Sequence, residues 1–357
     1  MSTVSASELV IFGFDGPTLG GDLKNYLRAN KIGGLILFKR NIEDLEQVIS
    51  LNSDIINAHS KHPPLICVDQ EGGRVARLRG IVSDVLALRD LREVFLREPH
   101  LAYRVGALMG RELVALGFHL NFAPVCDVAI EQDGKDIIGD RAFSHEAHEV
   151  AMLAAKFIQG MQGSGLAGCA KHFPGHGATT TDSHFLLPIV STSADILEER
   201  ELAPFRSAIK AEVASIMTAH LIAQNLDEDK PATMSPKIIN ELLRVKLEFD
   251  GVVISDDLDM KAVADHYELK EILRASLESC VDMFIIGNNL EKTYEAIACL
   301  DELIKSHDYL AQKAMLAKQR VDKLRSRYVG KALAPDLRQA QHIVKSVPHL
   351  ELLNSCR

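Results

Sequence analysis

The stretch LAGCAKHFPGHGATTTDSH, Leu166 to His184, changes character at Lys171. Up to Ala170 it is a short apolar run of small and branched residues, the composition of a buried strand. From Lys171 onward, fourteen residues hold three histidines, a lysine and an aspartate, punctuated by Pro174, Gly175 and Gly177. Such punctuation reads as a loop. A packed core has no use for so many titratable groups at a strand terminus, whereas an active site carried on a loop above a rigid sheet does.

The same transition recurs on both sides of this stretch. Candidate strands are Glu8 to Phe14, Gly34 to Phe38, Leu65 to Asp69, His119 to Ala123, Leu166 to Lys171, Ala214 to Ala219, Val252 to Ser255 and Asp282 to Ile286. Amphipathic segments separate them at Leu19–Ala29, Leu45–His59, Leu101–Leu116, Ala147–Met161, Ile196–Ala211, Lys237–Leu247 and Leu269–Glu278. Eight alternating β/α units predict an α/β fold of the single-domain (β/α)8 TIM-barrel type. Two further helices, over Glu291–Lys305 and Tyr309–Arg327, follow the last strand. The expected division is a catalytic domain over residues 1–330 and a C-terminal tail over 331–357, which carries Pro335 and Pro348 and either wraps or frays.

In this architecture the site lies at the C-terminal ends of the strands. Polar residues stand there: Asp69-Gln70-Glu71, Asp127, Lys171-His172, His220, Asp256-Asp257 and Asn288-Asn289. Any one of them is explained by a strand reaching water. The set is not.

Composition narrows the function. The 357 residues are 47% hydrophobic and 25% charged, globular values, and no run approaches a membrane span. A net charge of −9 without a basic arm argues against nucleic acid. Six cysteines without a C-x-x-C pair read as reduced, mostly buried thiols, and the N-terminus lacks a signal-peptide pattern, so the expected compartment is the cytoplasm. With no Trp and 5% aromatic residues, a short ligand fits better than a long polysaccharide. The expected partner is a small molecule, with no nucleic acid, no membrane, and a monomer or weak homodimer in solution.

His172, His176 and His184 invite a metal, but Pro174 and Gly175 break any helix that would align the first two, and H-E-x-x-H is absent. No metal or other cofactor is expected. The formal G-x-G-x-x-G at Gly163–Gly168 follows a helix and precedes a strand, the reverse of a dinucleotide site. Acid/base chemistry fits better. Asp256 emerges from the apolar run Gly251–Ser255, so a rigid strand aims its carboxylate at the barrel mouth, as a nucleophile requires. Asp182 and His184 are one residue apart, a spacing that lets a carboxylate orient and charge an imidazole. A proton donor or a loop-stabilising hydrogen bond would both suit that spacing. A carboxylate and a proton donor together are the parts of retaining glycoside hydrolysis.

Four strings, VDQEGGRVARL (Val68–Leu78), GDRAF (Gly139–Phe143), KHFPGHGATTTDSH and SDDLDM (Ser255–Met260), resemble the signature motifs of glycoside hydrolase family 3, in its β-N-acetylglucosaminidase branch. The resemblance spans roughly residues 8 to 290. It implies a barrel enzyme, a β-N-acetylhexosaminidase, that removes terminal β-linked N-acetylglucosamine from muropeptides during peptidoglycan recycling. It implies Asp256 as nucleophile, His184 as acid/base and Asp182 as its partner, with Asp69, Arg77, Arg141, Lys171 and His172 holding the sugar. Salt bridges within the loop layer are the alternative for these five. Asp257 should point away from Asp256, because strand neighbours alternate faces. The ATTTD segment and Lys261 lie at positions the resemblance leaves variable. Two other functions use the same residues: a β-N-acetylglucosaminide phosphorylase with the same Asp/His pair, and a non-catalytic muropeptide-binding barrel.

Overall fold

The computed structural model describes residues 4–59, 61–130, 137–179, 187–330 and 334–356. Its eight parallel strands are β1 (Val10–Phe12), β2 (Gly34–Leu37), β3 (Leu65–Val68), β4 (Leu120–Asn121), β5 (Ala167–Phe173), β6 (Ser215–Thr218), β7 (Val252–Asp257) and β8 (Met283–Ile286). They close into a barrel in the order β1-β8-β7-β6-β5-β4-β3-β2. Each predicted strand is present, and β5 ends two residues later than expected, so His172 and Phe173 belong to the strand along with Lys171.

The strands are largely apolar because both faces are buried, with polar residues gathered mostly at their C-terminal ends. Ile11, Ile36, Leu65, Cys67, Leu120, Cys169, Ile254 and Ile285 point inward and pack against one another. Their strand neighbours Val10, Phe12, Leu35, Leu37, Ile66, Val68, Val253 and Phe284 point outward to the helices. The period of two along each strand thus splits one hydrophobic run into a barrel interior and a helix-facing layer.

The enclosing helices are α1 (Gly21–Ala29), α2 (Leu45–Ala58), α3 (His100–Ala115), α4 (Ala147–Gly163), α5 (Leu202–Lys210), α6 (Lys237–Lys246), α7 (Leu269–Glu278) and α8 (Leu290–Ser306). Side chains begin two of them: Asp44 accepts from Gln47 N at 2.9 Å ahead of α2, and Asn289 from Lys292 N at 3.0 Å ahead of α8. Each satisfies one of the unpaired N–H groups of a first helical turn. α3 and α4 touch backbone to backbone. A Cβ on Gly160 would stand 1.9 Å from the Tyr103 carbonyl oxygen, so this crossing requires glycine.

The bottom of the barrel is closed by α9 (Asp308–Tyr328), whose Val321, Leu324 and Tyr328 join the inner layer. Arg325 of α9 donates to the carbonyls of Pro63 and Gly33, at 2.7 and 2.6 Å. Beyond Gly330 the chain wraps as two short helices, α10 (Leu337–Ile343) and α11 (Val347–Ser355), packed on α3. Among the described residues, no helix is long and apolar enough to cross a membrane.

Buried Glu112 of α3 ties this C-terminal segment to the loop after β3. It accepts from Ser83 N and Ser83 Oγ at 2.7 Å, and from Lys345 N and His349 Nδ1 at 2.8 Å. Burial raises its pKa, but these donors outweigh burial and hold it below the ordinary glutamate value. Removing such a hub leaves buried donors unpaired. Glu112→Ala should therefore lower stability by about 2–4 kcal/mol, read as a drop in the urea midpoint without loss of barrel secondary structure.

Candidate active site

The mouth of the barrel holds a cavity of about 710 Å³, within the range of small-molecule sites. Its floor is the top of the barrel core, where Ile36, Phe122, Met217 and Ile285 belong both to the inner layer and to the cavity wall. Its sides are polar and come from the segments after β3, β4, β5, β7 and β8. Asp69, Arg77, Arg141, Lys171, His172 and Asp256 all line it. Asp182 and His184 lie outside the described residues.

Lys171, at the end of β5, is 2% exposed and sits between two carboxylates. Its Nζ is 2.8 Å from Asp69 Oδ1 and 2.7 Å from Glu71 Oε1. Glu71 in turn is gripped by Arg141, with Nη2 to Oε1 at 2.8 Å and Nε to Oε2 at 2.9 Å, a two-point contact that fixes the guanidinium plane. Arg77 lies 3.7 Å from the other oxygen of Asp69. The salt bridges considered as an alternative for these residues are thus present, and they face the cavity at the same time. Burial opposes each charge, yet the partners win. Lys171 and Arg141 pull Glu71 well below the ordinary carboxylate range, and Asp69 and Glu71 hold Lys171 above its ordinary value.

His172 is positioned by Asp127, which is fully buried after β4. Asp127 Oδ2 is 2.7 Å from His172 Nδ1, and its Oδ1 accepts from the backbone N–H groups of His172 at 3.1 Å and His176 at 2.7 Å. This consumes Nδ1 and leaves Nε2 as the ring atom free to face the cavity. Gly177 is required in the same loop, since a Cβ there would stand 1.7 Å from the Val128 carbonyl oxygen. His176, largely buried, also lines the cavity, with Nδ1 2.7 Å from Thr179 Oγ1, and burial lowers its pKa. Among the described residues, no group of three or more His, Cys, Asp or Glu is arranged to hold a metal ion.

Asp256 ends β7 beside the floor, and its Oδ1 accepts from Asp257 N at 2.8 Å. Burial alone would raise its pKa. The His172 and His220 imidazoles, the Asp257 N–H and Lys171 outweigh burial and hold it below the ordinary aspartate value, so it is an anion at neutral pH. Asp257 turns toward β8, where its Oδ1 accepts from Gly287 N and Asp259 N at 3.0 Å. Burial pushes Asp257 up to about 7.

Glu71 and Asp127 are the organising carboxylates that sequence reasoning placed only as polar residues after strands. Their positions at the ends of β3 and β4 were visible, but their partners are 70 and 45 residues away. Only the closed barrel brings them together. Breaking a buried ion pair by removing one charge is costly. Glu71→Gln should lower stability by roughly 3–5 kcal/mol in urea unfolding at pH 7. Because the native pKa of Glu71 is depressed, the difference from wild type is full above the unfolded value of 4.5 and shrinks as pH falls below it. A difference that is constant down to pH 3 would contradict the ionised assignment.

Residues 8–324 match the glycosyl hydrolase family 3 N-terminal domain. A β-hexosaminidase of Alkalilimnicola ehrlichii is 39% identical over 286 residues, covering 79% of this chain and 81% of the relative. Another, from Methylococcus capsulatus, is 36% identical over 319 residues, covering 88% and 93%. Among solved structures, a family 3 β-N-acetylglucosaminidase from Paenibacillus superposes with a TM-score of 0.91 at 32% identity, over 99% of this chain and 67% of that one. NagZ from Neisseria gonorrhoeae superposes with a TM-score of 0.77 at 28% identity, over 97% and 96%.

Proposed function

The chain belongs to glycosyl hydrolase family 3, and from that premise we propose that it is a retaining exo-β-N-acetylglucosaminidase. Its substrates in this proposal are N-acetylglucosaminyl-anhydromuramyl peptides of cytoplasmic peptidoglycan recycling, the class implied by its sequence motifs. The observation that carries the chemistry is Asp256: a carboxylate held anionic at the floor of a cavity that also contains Asp69, Arg77, Arg141, Lys171 and His172. An anion kept ionised by fixed neighbours is ready to meet the positive charge that develops at a sugar C1 as its glycosidic bond breaks.

The steps follow from that placement. The terminal sugar enters the cavity with its ring near the floor, and the charged cluster around Lys171 binds its hydroxyls. Asp69 and Glu71 are acceptors, and Lys171, Arg77 and Arg141 are donors, so both polarities of a hydroxyl are met. The His184 imidazolium, oriented by Asp182, gives its proton to the glycosidic oxygen as the C1–O bond breaks. An Asp256 oxygen forms the new bond to C1. The aglycone leaves through the open mouth. Neutral His184 then takes a proton from water, the water oxygen attacks C1, and Asp256 departs as the carboxylate. Two inversions at C1 return the β configuration.

Proton NMR of a nitrophenyl β-N-acetylglucosaminide incubated with the protein in phosphate buffer tests this. The first product should be the β anomer of N-acetylglucosamine, and Asp256→Ala should abolish its release while leaving the urea midpoint of the fold in place. Release of the sugar 1-phosphate would make the protein a phosphorylase. A first-formed α anomer, or full turnover by Asp256→Ala, would overturn the assignment of Asp256.

A further inference from the structure

Among the described residues, five lysines and arginines line the cavity: Arg74, Arg77, Arg141, Lys171 and Lys261. Four have a carboxylate partner. Arg74 pairs with Asp140 at 3.2 Å, Arg77 with Asp69, Arg141 with Glu71, and Lys171 with Asp69 and Glu71. Lys261 alone makes no ion pair or side-chain hydrogen bond among the described residues, and it is exposed at the rim.

Its solitude is not for lack of acids nearby. Three aspartates precede it within five residues, and each is engaged elsewhere. Asp259 accepts Lys292 Nζ at 3.0 Å on one oxygen and Asn288 N at 3.0 Å on the other. Asp257 takes the backbone N–H groups of Gly287 and Asp259, and Asp256 takes that of Asp257. Among the described residues, then, the charge of Lys261 at the cavity mouth is met by no carboxylate.

Its place in the site is set by the strand order. Lys261 lies five residues beyond Asp256 and begins a short helix, Lys261–Ala264, that follows β7. β7, which this helix follows, stands four strands from β3, which is followed by the antiparallel hairpin Gln70–Gly72 and Val75–Ala76 carrying Arg74, so the two cations reach the cavity from opposite sides of the barrel. With a terminal sugar bound on the floor, the rim is where the leaving group emerges.

We propose that Lys261 is a specificity residue of the aglycone subsite, one that selects leaving groups bearing a carboxylate over neutral ones. This rests on the hydrolase assignment of the preceding section and adds to it a charge requirement on the aglycone. It is an exposed pair, so its strength is modest and falls with salt.

The test compares kcat/KM for a neutral nitrophenyl β-N-acetylglucosaminide and its ring-carboxylated analogue, in wild type, Lys261→Gln and Lys261→Glu. The ratio of carboxylated to neutral kcat/KM cancels any general loss caused by a substitution. It should fall about three- to five-fold in Lys261→Gln and further in Lys261→Glu. The wild-type ratio should also fall as sodium chloride is raised, while that of Lys261→Gln changes less. An equal ratio in all three proteins would overturn the subsite and leave the hydrolase intact. Hydrolysis of neither substrate by wild type would instead overturn the hydrolase assignment itself.

Discussion

A lysine ammonium that is 2% exposed cannot persist without partners, and the mouth of this barrel is built around meeting that condition for Lys171. The two carboxylates that surround it come from the end of β3, and one of them, Glu71, passes the constraint on to Arg141 beyond β4. Three segments distant in sequence are thereby locked to one another by charge. The lock is expensive to build in a low-dielectric interior and far more expensive to break at a single point, which is what makes it a good fixture for a site.

Asp127 performs the parallel task for the loop after β5. By taking the backbone N–H groups of His172 and His176 and one ring nitrogen, it ties the two ends of that turn together and sets the orientation of His172. The consequence reaches Asp256 across the barrel, whose ionised form is favoured by His172 and Lys171 despite burial. Charge organisation here runs inward to outward. Near the floor Lys171, Glu71 and Arg141 are matched to one another, and at the rim Lys261 has no ion-pair partner among the described residues. A sugar ring asks for fixed donors and acceptors, whereas a leaving group that must depart is better served by weaker, screened contacts.

Much of this was legible in the chain. Strands buried on both faces leave uninterrupted apolar runs, and Val252–Ile254 or Met283–Ile286 are hard to read otherwise. The ends of those runs located Asp69, Lys171, His172 and Asp256 at one face of the barrel before any coordinates. Strand alternation alone would turn Asp257 away from Asp256, yet both line the cavity, with Asp257 held by Gly287 N and Asp259 N. What the chain did not disclose are the pairings. Glu71 stood next to a strand end like several other polar residues, and nothing local distinguished it as the partner of both Lys171 and Arg141. Asp127 looked like one more polar residue after a strand, because its role depends on the closing of β4 against β5. Lys261 lay at a position the motif resemblance leaves variable, and its importance arises from what its neighbours are bonded to. The helical wrapping of the segment after Gly330 depends on Glu112, more than two hundred residues earlier.

The account turns on Asp256 forming a bond to the sugar. Incubation with a fluorinated N-acetylglucosaminide that is attacked quickly and released slowly, followed by intact-mass and peptide-level mass spectrometry, tests that directly. The prediction is a stable mass increase of one fluorinated N-acetylglucosaminyl unit per chain, mapped to the peptide that contains Asp256 and absent from Asp256→Ala. Steady turnover of that reagent with no covalent adduct, or an adduct on any other side chain, would contradict it.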